Sequence, residues 1–336
     1  MIDKRNHMIE LLRFVAASYV AIFHLNEVVP YISNWYRAFF KLGYLGVPIF
    51  FVISGYCIQI AAAHARSPKD FIVRRFFRIF PAYWFSVAVV LSVVAFWLVA
   101  FGVNSVTQLP KSITGVLATI TLLTTPFSDV QVINWVYWTL TYELFFYLIT
   151  FVSLTIPVRY RFYLFIAIAA LVFVLPIREH WPLFFLQQWP AFCLGTVLYR
   201  MLHQVDKFTL PNFLLLALSA GGLFTLTYLP YYAVACLVTA GLITLNNLKP
   251  IKGSFFSGLG NYSYSLYLIH IPAGSYLFGA VKQLNYIQKH IWANCLWDFT
   301  LLAILQVAAY FIYKKIELPF IKFGKKLTDV SRKATV

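Results

Sequence analysis

The sequence predicts an all-α, polytopic membrane protein with about ten transmembrane helices and both termini in the cytoplasm. Three observations predict it. Of the 336 residues, 61% are hydrophobic and only 11% are charged, well away from the balance of ordinary soluble domains. The apolar residues gather into runs close to the length that crosses a bilayer as one helix: 8–28, 43–63, 81–101, 138–156, 160–177, 183–203, 211–229, 230–248, 259–281 and 291–313. The 33 Phe and 22 Tyr supply the aromatic side chains expected where helix ends meet lipid headgroups.

Charge sets the count and the direction. With ten spans and an inner N-terminus, twenty of the 27 Lys and Arg fall on the cytoplasmic side. Six fall outside (Arg37, Lys41, Lys111, Arg178, Lys282 and Lys289), and Arg13 lies within the first span. One further apolar stretch, 112–127, is short and rich in Thr, so a soluble-side or re-entrant helix suits it as well as a span does. If it crossed, the tally would invert to 10 inside against 16 outside, so 102–137 is read as one long outer segment. The integral membrane domain then covers 1–313, with 64–80 as a basic interfacial helix in the cytoplasm and 314–336 as a short basic cytoplasmic tail held at the membrane surface.

The same distribution disposes of two other classes. A net charge of +16 invites a nucleic-acid reading, but the cations sit in short loops between apolar runs, so no nucleic-acid partner is expected. Cys57, Cys193, Cys236 and Cys295 each lie in an apolar segment without CxxC spacing, and neither a disulfide framework nor a metal site is expected. The apolar run after Lys4 and Arg5 is too long for a signal-peptide core and is read as the first span.

Within span 1, Arg13 and His24 are eleven residues apart. That is three turns plus about 20°, so both lie on one face about 16 Å apart along the axis, with Ala17, Val20 and Ala21 leaving room between them. A snorkelling Arg with a satisfied interior His is one reading; the cost of an Arg in a bilayer favours a function. Span 2 opens with Gly43, Gly46 and Val47 and continues to Ser54, Gly55 and Tyr56, residues that suit either close helix packing or a narrow cavity wall. Ser67-Pro68 is a helix start, and on the helix that follows Arg74, Arg75 and Arg78 share an arc of about 100°. An interfacial helix on anionic lipid and a bidentate phosphate site both fit such a cluster.

Later in the chain, Glu143 is the acid singled out inside the apolar runs, in a segment from Trp138 to Tyr147. Its expected depth is that of His24, so a base-and-orienter pair and a purely structural buried carboxyl are both open. A late span carries Gly260-Asn261-Tyr262-Ser263-Tyr264-Ser265-Leu266-Tyr267-Leu268-Ile269-His270. His270, with Ser54, Tyr56, Tyr147 and Tyr264, is expected to line a cavity or meet the acceptor.

Taken together, these motifs resemble the acyltransferase-3 family of polytopic membrane acyltransferases. The resemblance rests on Arg13 and His24, the segment from Gly43 to Tyr56, Arg75 and Arg78 followed by Pro81 and Tyr83, the segment around Glu143, and the run from Tyr262 to His270. Thr139 and Thr141 stand where serines are common in the family, and the hydroxyl is kept. It implies a single-domain enzyme of the bacterial inner membrane with no permanently bound cofactor. Such an enzyme moves an acyl group, most often acetyl, from cytoplasmic acyl-CoA to a hydroxyl on a surface or lipid-linked glycan. It further implies that Arg13 and His24 are essential and that Arg75 and Arg78 serve the donor.

The mechanism expected from this is His24 as catalytic base with Glu143 orienting it, and Arg13 either touching the donor or bracing the cavity. Direct attack of the acceptor and an acyl-His24 intermediate both remain open. A transporter or exporter that makes no bond is the competing class, because intramembrane Arg, His and Glu also suit a transport path. A lipid or small-molecule acceptor is the remaining variant of the enzyme reading.

Overall fold

A computed structural model of the chain describes residues 6–102, 106–175, 183–203, 209–226 and 230–330. Lys4, Arg5, Arg178, Lys207, Arg332 and Lys333, which enter the charge tally, lie outside them, as do the ends of the expected spans 160–177 and 211–229. Helix is the only regular secondary structure among the described residues, with no strand among them.

Helix α1 (His7–Glu27) begins where Asn6 accepts the backbone N–H of Ile9, an N-cap that satisfies a donor the helix leaves free. After a short α2 (Trp35–Lys41), α3 (Gly46–Ala63) lies beside α1. Glycine makes that closeness possible: a Cβ at Gly46 would stand 2.6 Å from the Ala16 carbonyl oxygen. On its other side α3 meets α8 (Trp189–His203), where a Cβ at Gly55 would reach 2.0 Å from the carbonyl of Phe192. Only hydrogen fits in either place.

The basic segment and the span after it form one helix, α4 (Pro68–Phe101). Ser67 caps it and Pro68 occupies the first turn, as the sequence predicts, but Pro81 lies inside and does not end it. The expected separate interfacial helix is therefore corrected to the first turns of a 34-residue rod. In the segment after it, α5 (Ile113–Thr121) is nine residues long, too short to span. Its carbonyls accept from Tyr83 and Trp84 on α4, and Leu122, just after it, accepts from Thr141 on α6 (Tyr137–Thr155) at 3.0 Å. Irregular backbone is thus held at the depth of α6 by protein partners.

Of the other apolar runs, α7 (Val158–Leu171), α8 and α9 (Leu210–Leu226) have 14, 15 and 17 residues, whereas α10 (Pro230–Leu248) has 19. Six helical stretches among the described residues are long and apolar enough to cross a membrane: His7–Glu27, Trp35–Ala63, Pro68–Phe101, Tyr137–Thr155, Pro230–Leu248 and Ile291–Asp329.

The run 259–281 is not one regular helix. It comprises α11 (Phe255–Leu259), α12 (Ser263–Ile269), a π-helical turn at His270–Tyr276 and α13 (Leu277–Lys282). Pro272 explains the turn: it has no N–H for the carbonyl four residues back, that of Leu268. That carbonyl accepts from Ser86 at 2.8 Å and Asn134 at 3.1 Å instead.

After α14 (Asn285–Lys289), α15 (Ile291–Ile312) passes through a second π turn into α16 (Leu318–Val330). Within the expected cytoplasmic tail, α16 packs on α4. Phe77 lies between Phe320 and Phe323, and Asp329 pairs with Arg66 at 2.7 Å.

Candidate functional site

Five elements converge on a cavity of about 90 Å³ whose lining mixes apolar and charged side chains. A water needs roughly 10–15 Å³ of such space, so the cavity has room for several. Helix α3 presents Val47, Phe50, Ser54 and Cys57, which the 3.6-residue period places on one face. Helix α6 presents Thr139, Glu143 and Tyr147 at intervals of four. Arg13 comes from α1, Arg75 and Arg78 from α4, and Ser263, Tyr264 and Tyr267 from α12.

The polar groups of this wall hold one another. Glu143 Oε1 accepts from Ser54 Oγ at 2.9 Å and from the Tyr147 hydroxyl at 2.5 Å. The Arg75 guanidinium stands 6.0 Å from the centre of the Tyr147 ring, and its buried Nε has no hydrogen-bond partner among the described residues. Arg13 donates to Cys57 Sγ at 3.4 Å, and Tyr264 to the Ile79 carbonyl at 3.1 Å. Arg78 faces Glu317 at 3.9 Å. Three guanidinium groups thus line a cavity with one lining carboxyl, an arrangement suited to an anion with several acceptor oxygens.

His24 is not among the lining residues. It sits further along α1, its ring 5.4 Å from that of His270 and 6.1 Å from that of Trp135. Here the expected pairing of His24 with Glu143 fails. Glu143 lies on α6, bonds Ser54 and Tyr147, and lines the cavity together with Arg13. The ring beside His24 is His270, which is fully buried and bonded through Nδ1 to the Tyr267 carbonyl at 2.7 Å. Its Nε2 has no partner among the described residues.

Of the residues expected at a cavity or acceptor, Ser54, Tyr147 and Tyr264 are among the cavity's lining, and Tyr56 and His270 are not. Tyr56 faces elsewhere. Its hydroxyl pairs with His203 on α8 at 2.5 Å, within an apolar cluster that includes Ile9 and Leu12. The alternation of helix faces accounts for this, since Tyr56 is two residues, about 200°, from Ser54.

Two groups escaped the sequence reading. Asp298 lies inside α15, fully buried, and accepts from Lys282 at 2.6 Å, Asn26 at 2.7 Å and Tyr36 at 2.8 Å. Lys282 was read as a loop cation, and Asp298 passed unnoticed beside it; an acid seven residues into an apolar run was the signal. Glu317 is the other, in what was read as a surface tail. Among the described residues no group of three His, Cys, Asp or Glu side chains is placed to hold a metal ion.

An all-helical bundle with membrane-length apolar helices and an arginine-lined internal cavity defines a class of integral membrane protein whose interior is suited to an anion. The particular family follows from comparison: the acyltransferase-3 family model, described as an acyltransferase domain, matches residues 6–314, nearly the whole chain. The chain belongs to that family of acyltransferases. No curated protein and no solved structure matches the chain significantly.

Proposed function

We propose that the protein transfers an acetyl group from cytoplasmic acyl-CoA to a hydroxyl of a surface or lipid-linked glycan, from the inner membrane of a bacterium. The observation that carries this reading is the convergence of Arg13, Arg75 and Arg78 on one cavity, in a chain whose family is an acyltransferase. Guanidinium matches phosphate bidentately, and CoA is the phosphate-bearing form of an acyl donor. The ten-span topology with inner termini belongs to this proposal. It puts the Arg cavity toward the cytoplasm and His24 toward the outer leaflet.

In the proposed reaction the CoA phosphates engage Arg75 and Arg78, and the pantetheine arm lies along the α1 face from Arg13 toward His24. Ala17, Val20 and Ala21 on that face are buried, so donor entry parts their packing. His24 takes the proton of the acceptor hydroxyl as its oxygen attacks the thioester carbon. The carbon–sulfur bond breaks, and the thiolate of CoA leaves and takes the proton from His24. His270 supports His24 in the orienting place first expected for Glu143. Glu143, bonded to Ser54 and Tyr147, keeps the cavity wall in register.

The test is release of free CoA by purified protein given acetyl-CoA and candidate glycans, together with mass analysis of surface glycans from cells with and without the protein. Loss of one acetyl group from a glycan in the deletion strain supports the reading. Unchanged glycans and no CoA release overturn it in favour of the transporter.

A further inference from the structure

The family domain ends at residue 314, yet the acid facing one of the cavity arginines comes from beyond it. Glu317 sits where α15 hands over to α16, two residues before Pro319, which cannot donate to the carbonyl of Lys315. Its side chain is 1% exposed. One carboxyl oxygen, Oε2, accepts from Ser265 Oγ at 2.8 Å; the other lies 3.9 Å from Arg78 Nη1 and has no hydrogen-bond partner among the described residues. A buried carboxylate is costly unless a cation and hydrogen bonds offset it; Arg78 is the cation paired with it, and Arg13 is near enough to add to the attraction.

The relation serves the cation too. Arg78 keeps 32% of its side chain accessible, and a guanidinium has five donor hydrogens. Facing one edge to Glu317 leaves the others for a ligand. Helix α16 is itself clamped to α4 by groups that do not line the cavity. Arg74, held by Asp70 of its own helix at 2.5 Å, bonds Thr328 at 3.2 Å; Arg66, just before α4, pairs with Asp329 at 2.7 Å; and Gly324 seats on Phe77, where a Cβ would come within 2.8 Å. A helix needed only as a surface anchor would have no use for this inner face.

We propose that the segment beyond the family domain is a working part of the donor cavity. Glu317 is a positioning residue that fixes the Arg78 guanidinium for a phosphate of acyl-CoA, and α16 is the brace that keeps Glu317 in place. This rests on the reading of the Arg cavity as the donor site.

The experiment measures the affinity of free CoA for the full chain in lipid nanodiscs by calorimetry, in a double-mutant cycle. Arg78→Ala is expected to weaken CoA about 10–100-fold, the value of a hydrogen-bonded charge. Glu317→Gln is expected to weaken CoA about fivefold in the parent and to add nothing in the Arg78→Ala background. A residue that merely stabilised the fold would lower the yield or melting temperature and leave the affinity of the folded fraction alone. Unchanged affinity in Glu317→Gln, or an equal loss in both backgrounds, overturns the inference while leaving the donor site standing. Unchanged affinity in Arg78→Ala overturns the donor site and the inference with it. Should Glu317→Gln fail to fold, Ser265→Ala, which removes only the bond to Oε2, decides by the same criteria.

Discussion

The imidazole rings of His24 and His270 lie 5.4 Å apart, centre to centre, with 35° between their planes. Because the Tyr267 carbonyl can only accept, His270 Nδ1 carries its hydrogen and Nε2 is left as an acceptor. The π turn beginning at His270 and the freed carbonyl at Leu268 fix this ring in a wall tied to α4 through Ser86. His270→Phe keeps a ring and removes the acceptor. It is expected to lower turnover about 10- to 100-fold while CoA affinity stays at the parent value, since His270 does not line the cavity. Turnover and affinity measured on the same preparation check it.

His24→Ala is expected to lower acyl transfer about 10²–10⁴-fold, the usual worth of a positioned general base. Labelled acetyl-CoA incubated without acceptor separates the two chemical routes. Label retained on His24 after denaturation indicates an acyl-enzyme, and label appearing only on the acceptor indicates direct attack.

Glu143→Ala strands two hydroxyls that now share Oε1, those of Ser54 and Tyr147. The expected result is a loss of about 1–3 kcal/mol of stability per stranded group, together with weaker CoA binding as Tyr147 and Arg75 lose their register. Tyr147→Phe, which keeps the ring beside Arg75, should weaken CoA less. Calorimetry of CoA on both variants checks the order.

The buried pair of Lys282 and Asp298 ties α13 to α15, and Asn26 joins α1 to it two residues from His24. Asp298→Ala leaves Lys282 buried and unpaired and is expected to destabilise by about 3–5 kcal/mol. Replacing both with apolar residues, Lys282→Met with Asp298→Leu, should recover much of that. Thermal unfolding in nanodiscs distinguishes the single variant from the double.

Gly55→Val puts a side chain where a Cβ already stands 2.0 Å from the Phe192 carbonyl, so α3 and α8 must separate. A loss of about 1–3 kcal/mol or more is expected, with weaker CoA binding because Ser54, the next residue, lines the cavity. Melting temperature and CoA affinity should fall together.

Much of this protein is legible in its sequence. Composition and run length determine an all-helical membrane protein, and helical periodicity determines which residues share a face: Ser54 with Cys57, Glu143 with Tyr147, Arg75 with Arg78. The family too could be read from motif order. These properties are local, set by spacings within one helix.

What only the tertiary structure decided is which faces meet, and at what depth. Depth counted from the ends of apolar runs put Glu143 beside His24, but Glu143 shares a cavity with Arg13, and a ring beside His24 is that of His270, almost 250 residues away along the chain. In the same way, nothing local marks Glu317 as buried: its segment is basic and short, and only the return of α16 onto α4 brings it to Arg78. Relative heights of helices depend on close contacts such as Gly46 on Ala16, and a linear pattern does not encode those offsets.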